Sequence, residues 1–178
     1  MIKNLFFFVF FSFSTAVFSQ EWRQNHSQTK ALFSVKKFGV EVVGNFNESE
    51  VHTNFNSNDL ENSYIHLKIR VKSISMGKKS RDQMILNRKY FFEKNYKFIY
   101  FKSSRIEKRK NGDLYLIGIL RIKGIAKRVQ IPFDVSEDDQ KITIKSNFKI
   151  KRKDFNLGEN DVSLSKSAKI ELEFTGTT

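Results

Sequence analysis

Residues 65–72 read Ile65-His66-Leu67-Lys68-Ile69-Arg70-Val71-Lys72, apolar at every odd position and basic at every even one. Side chains alternate across a strand, so this stretch has one buried face and one wet, positive face. Outward from it the same period recurs. Leu114, Leu116, Gly118, Leu120 and Ile122 share one face, as do Val129, Ile131, Phe133 and Val135. Ile142, Ile144, Ser146, Phe148 and Ile150 oppose Lys141, Thr143, Lys145, Asn147 and Lys149, and Ala168, Ile170, Leu172 and Phe174 oppose Lys169, Glu171, Glu173 and Thr175. Leu32 to Phe38, Val40 to Phe46 and Tyr96 to Ser103 are further strands with looser alternation. Asn111-Gly112 suits a two-residue hairpin turn. Pro132 lacks an amide donor, so its part of the strand belongs at an edge or bulge. Ser80 to Leu86 reads as a short helix, with Ser80 as N-cap and Asp82 in the first turn. About eight strands and one short helix make an all-β sandwich or barrel, and eight strands suffice to enclose one small ligand.

The first 19 residues read as a secretory signal. Lys3 supplies the positive start, Leu5 to Phe13 the apolar run, and Val17 and Ser19 the small positions before a cut at Ser19-Gln20. The run is too short for a membrane span. Gln20 to Thr178 suits one domain with a single core, placed in the periplasm or secreted. The chain has no cysteine, which removes disulfide staples and the lipoprotein variant of the signal. Its net charge of +13 favours anionic partners, such as a membrane surface or a glycan. Export weighs against nucleic acid. The Tyr96-Lys97-Phe98-Ile99-Tyr100-Phe101-Lys102 stripe lacks the glycine-flanked pattern of an RNA-binding sheet and reads as core.

Catalytic and metal-binding patterns are sparse. His26, His52 and His66 lie far apart in sequence and form no zinc motif. Ser-x-x-Lys occurs at Ser27, Ser34, Ser75, Ser146 and Ser163, a repetition expected by chance in a chain rich in both residues, and its companion motifs are absent. Glu137-Asp138-Asp139 reads as a solvated turn rather than a catalytic pair. The expectation is a non-enzyme with no cofactor and no metal.

Four blocks carry a family resemblance. Phe33-Ser34-Val35-Lys36-Lys37-Phe38-Gly39-Val40, followed by Val43-Gly44-Asn45-Phe46, resembles F-S-V-K-H-L-G-V and a later G-x-F. Ser73 to Ser103 is similar to an S-I segment, then R-D (Arg81, Asp82), a short helix, F-F (Phe91, Phe92) and a strand ending F-K-S (Phe101, Lys102, Ser103). Leu120-Arg121-Ile122-Lys123-Gly124 with Val129 resembles L-T-I-x-G-x-x-x-x-V. Arg152 to Leu157 resembles R-x-D-F-G-L. Lys37, Asn95 and Asn156 stand where histidine, proline and glycine are usual. The chain thus resembles the YceI-like family of exported polyisoprenoid-binding proteins.

That resemblance implies an extended, lipocalin-like eight-stranded antiparallel barrel. It implies a long apolar or amphiphilic lipid inside (isoprenoid, quinone or fatty-acyl), pairing into homodimers, and no catalytic residues. Carriage or sequestration of such a lipid is the expected function. The alternatives are a basic module on anionic membrane or glycan, and an enzyme acting on lipid or quinone precursors. An isoprenoid offers no hydrogen bonds, so affinity must come from burial of apolar area. Strand phase nominates Phe33, Val35, Phe46, Leu67, Ile69, Phe98, Tyr100, Leu116, Phe133, Ile144, Phe148 and Leu172 as its contacts. The helix near Arg81 is expected to cover one end, backed by Phe91 and Phe92, with Arg81 and Asp82 paired.

Overall fold

The structure is a computed structural model that describes residues 21–178. The expected signal segment lies outside the described residues. Strands β1 (Arg23–Gln24), β2 (Lys30–Lys37), β3 (Val40–Phe46), β4 (Ser49–Thr53), β5 (Ile65–Arg70) and β6 (Ile74–Ser75) precede helix α1 (Lys79–Leu86). Five longer strands follow: β7 (Phe98–Lys108), β8 (Leu114–Ile122), β9 (Ile125–Glu137), β10 (Lys141–Lys151) and β11 (Ser167–Thr177). Every pairing is antiparallel, in the order β4-β5-β7-β8-β9-β10-β11-β2-β3-β6, with β1 beside β11.

The ends of this order meet through corners. Strands β3 and β4 are consecutive across Asn47-Glu48, and β5 and β6 across a 3-10 turn at Val71–Ser73. Since β3 pairs with β6 and β4 with β5, each couple acts as one bent strand. Counted through the corners, eight antiparallel strands surround one core, and the fold is a lipocalin-like all-β barrel. Ser73 stitches the corners: its Oγ accepts from the Glu48 amide at 3.0 Å and its carbonyl from the Asn47 amide at 3.1 Å.

The inward rows are those of the period-two pattern on β2, β5, β8, β9, β10 and β11. Strand β7 differs. Its inward row is Ile99, Phe101 and Ser103, with Ile99 opposite Ile69 and Phe101 opposite Leu67. Phe98 and Tyr100 therefore face outward, which corrects their assignment to the interior. The run is apolar on both phases, and only pairing with β5 decides between them. Phe98 lies instead under the cations of Lys68 and Arg70.

Turn chemistry follows left-handed φ. At Asn111-Gly112 only Gly112 has positive φ, and the Arg109 amide donates to the Asp113 carbonyl at 2.9 Å. The loop is thus three residues long, not two, with glycine at the left-handed position. Two-residue turns occur at Phe38-Gly39 and Lys123-Gly124, where both residues have positive φ. Pro132 sits where β9 parts from β10: pairing runs over Asp134–Glu137 only, and Ser146 Oγ donates to the Pro132 carbonyl at 2.6 Å. Helix α1 starts one residue early, capped by the extended Lys78 without a side-chain bond, so Ser80 is not the cap. Asp82 accepts from the Met76 amide at 2.7 Å rather than pairing with Arg81, because its first-turn carboxylate reaches back over the entry to the helix.

Candidate functional site

The barrel is plugged at one end and open at the other. At the plugged end Trp22 Nε1 donates to the Phe55 carbonyl at 2.8 Å, and the Phe55 ring meets Phe133 edge-on at 5.8 Å. Phe133 therefore packs in the plug. At the α1 end lies an apolar cavity of about 200 Å³. Its walls come from Phe33, Val35, Val42, Phe46, Ile99, Ile122, Ile150, Ala168 and Ile170 on strands. Met76, Met84, Ile85, Tyr90, Phe91, Leu157 and Leu164 cover it from α1 and the loops. A second cavity of about 70 Å³ lies deeper, among Ala31, Val51, Ile65, Leu67, Phe101, Leu116, Leu120, Ile131, Ile144, Phe148, Leu172 and Phe174, with Thr29, Lys30, Ser49, Ser146 and Glu173 at its polar edge.

The two chambers are stacked along the barrel. One inward row passes from the first to the second between Ile122 and Leu120, another between Ile150 and Phe148, and a third between Ile170 and Leu172. Phe33, packed on Phe46 at 5.5 Å, stands at that boundary, and Ile69 is buried at the same level without lining either chamber. Phe46 in turn meets Phe91 edge-on at 5.7 Å, so Phe91 backs the wall beneath α1. Phe92 turns away with positive φ and packs on Tyr96. Of the nominated contacts, Phe33, Val35 and Phe46 line the outer chamber, and Leu67, Leu116, Ile144, Phe148 and Leu172 the inner one. Ile122, Ile150 and Ile170 are equally legible from strand phase, whereas Ile99 is not, because its strand is apolar on both phases. The loop residues Tyr90, Leu157 and Leu164 carry no periodic signal.

Among the described residues, four polar ones line the outer chamber, Lys37, Arg81, Tyr90 and Arg152, with no carboxylate among them. Arg152 is buried and spent on main-chain oxygens. Its Nε donates to Ser165 at 2.6 Å, Nη1 to Leu157 and Gly158, and Nη2 to Leu164 at 3.2 Å. It thereby folds residues 156–165 over the mouth. Asn156 makes the turn with φ 51°, a conformation asparagine accepts better than most residues, which explains how it replaces the usual glycine. Lys37 and Arg81 are exposed at the rim and, among the described residues, make no ion pair.

Asp161 latches this loop to the segment after α1. It accepts from Tyr90 Oη at 2.7 Å, Lys89 Nζ at 3.2 Å and Ser163 Oγ at 2.5 Å. Bonds from Ser163 and Tyr90 hold its carboxyl well below the usual range, while burial and the bond to Asp161 push the Tyr90 phenol up to about 12. A carboxyl depressed by folding stabilises the fold above its unfolded value of about 4. That contribution is lost as pH falls below it. Between about pH 6 and about pH 3, the melting temperature of Asp161→Asn should therefore fall less than that of the wild type. Equal slopes in thermal scans would show that the latch carries no linkage.

Among the described residues no group of His, Asp and Glu has the geometry of a metal site. His52 and His66, far apart in sequence, are direct cross-strand neighbours on the outer face. Burial, with Lys102 and His52 nearby, pushes the His66 imidazole below its ordinary value.

Comparison with known proteins agrees with this architecture. The chain superposes on Burkholderia cenocepacia BcnA with a TM-score of 0.81 at 24% identity, covering 85% of this chain and 98% of that one. A Campylobacter jejuni YCEI protein gives 0.70 at 23% identity, covering 76% and 84%. A polyisoprenoid binding domain from Saccharophagus degradans, implicated in plant cell wall breakdown, gives 0.68 at 13% identity, covering 88% and 98%. At these identities the likeness is one of fold. In sequence, a UPF0312 protein of Shewanella denitrificans is 27% identical over 100 residues, which is 56% of this chain and 52% of that relative. The chain thus aligns with about half the length of this curated relative. The profile of the YceI-like domain matches residues 22–176, nearly every residue from the plug to the last strand, and the chain belongs to the YceI-like domain family.

Proposed function

We propose that the protein is an exported lipid-binding protein that holds a polyisoprenoid or similar long amphiphile inside the barrel, for carriage or sequestration. The observation that carries this reading is the pair of stacked, mostly apolar chambers, the outer of which has a cationic polar rim. The tail lies inward, where each Å² of apolar surface removed from water contributes roughly 25 cal/mol. The polar end remains at the mouth, within reach of Lys37 and Arg81. The outer chamber is smaller than the ~300–1,000 Å³ of typical ligand sites. A long chain therefore has to join both chambers by turning the Phe33 and Phe46 rings. The similar fold of the polyisoprenoid binding domain from Saccharophagus degradans supports the ligand class. Binding rather than catalysis is the reading: among the described residues the outer chamber is lined by no carboxylate or histidine, and the one carboxylate on the inner chamber, Glu173, is spent near Lys30 and Lys145.

Native mass spectrometry of Gln20–Thr178, purified from a bacterial host without detergent, tests this. The expected spectrum carries an adduct that solvent extraction identifies as an isoprenoid or acyl lipid. A clean mass for the protein alone, with no uptake of added polyprenols or quinones, would overturn the reading.

A further inference from the structure

Around the mouth, four apolar side chains stand in water. Phe38 is 80% exposed, Val40 68%, Val162 100% and Met84 40%. Phe38 and Gly39 form the tip of the β2–β3 hairpin, both at positive φ. That first turn position favours asparagine, aspartate or glycine. An aromatic there costs backbone energy, and being exposed it returns no core packing.

The tip is tied to the loop that carries Val162: the Phe38 amide donates to the Ser163 carbonyl at 2.8 Å, and Lys37 bridges to Leu164. Lys37, Leu164, Met84 and Arg81 all line the outer chamber, so these apolar tips ring its opening. Cations surround them. Among the described residues Lys36, Lys37, Lys78, Lys79 and Arg81 enter no ion pair, while the neighbouring Glu41 is engaged by Ser34 Oγ and Lys169, Asp82 by the Met76 amide, and Asp161 by Tyr90 and Lys89.

We propose that the open end of the barrel docks on an anionic lipid bilayer, with Phe38, Val40 and Val162 inserted among the headgroups and the flanking lysines on their phosphates. Apolar tips with a basic surround match the combination that holds interfacial segments on anionic membranes. This deepens the lipid-carrier reading, on which it rests for its purpose: the mouth faces the bilayer, and the ligand passes between membrane and barrel without crossing water.

Flotation of Gln20–Thr178 with vesicles tests it, using phosphatidylcholine alone or mixed with phosphatidylglycerol. Wild type is expected to float with the mixed vesicles, weakly with the neutral ones, and less as salt rises. The double variant Phe38→Asn, Val40→Ser keeps a residue that accepts the turn and should bind at least about tenfold more weakly. Its lipid adduct in native mass spectra should be unchanged. Absence of wild-type flotation, or equal flotation of the double variant, overturns the proposal. So does a wild-type dimer in light scattering that the same substitutions dissociate, since a second copy would then cover the patch. Variant-sensitive flotation of a protein that carries no lipid would sink the carrier reading and leave docking standing.

Discussion

Replacing Arg152 by methionine is expected to cost about 3–5 kcal/mol of folding stability. The side chain is 4% exposed, and its guanidinium serves the carbonyls of Leu157, Gly158, Leu164 and Ser165. Methionine fills similar space but leaves those oxygens buried without donors, and an unmet buried acceptor costs about 1–3 kcal/mol. Arg152→Lys should recover only part of the loss, because a compact ammonium does not span four carbonyls as a planar fork does. Urea unfolding measures both. A loss under about 1 kcal/mol for methionine would mean that water enters and replaces the fork.

The second large effect concerns retention of ligand. Ala168 points into the outer chamber from β11, opposite Ile150. Ala168→Phe puts a ring where the tail would lie. If that denies the ligand about 100 Å² of apolar contact, the loss is about 2.5 kcal/mol, more than tenfold in affinity. Phe98→Asp is the contrasting change. It sits on the outer face under Lys68 and Arg70, and should leave retention as in wild type. Titration with a fluorescent polyprenol analogue, alongside thermal unfolding to show that each variant is folded, separates the two. Retention by a folded Ala168→Phe variant, or its loss in Phe98→Asp, would move the site out of this chamber.

The contrast between Ala168 and Phe98 also marks how far the sequence could be read. Where one phase is apolar and the other charged, as in Ile65-His66-Leu67-Lys68, the inward row is legible directly, and with it Leu67, Leu116, Ile144 and Leu172 on the inner chamber. In Phe98-Ile99-Tyr100-Phe101 both phases are apolar, so alternation has no preferred answer. Pairing of Ile99 with Ile69 supplies it, and an irregularity between Ser103 and Arg105 then brings Ile106 inward farther along the strand.

By itself, then, the sequence determined the all-β class, most inward rows, the short helix and the basic exterior. These follow from alternation and charge, which the backbone expresses within a few residues. Only the tertiary structure decided the plugged end, the division of the interior at Phe33 and Phe46, and the composition of the mouth. Those depend on bonds between segments remote in the chain, Trp22 to Phe55, Tyr90 to Asp161 and Phe38 to Ser163. No local pattern encodes such meetings, because the energy that fixes them exists only once the barrel has brought the segments together.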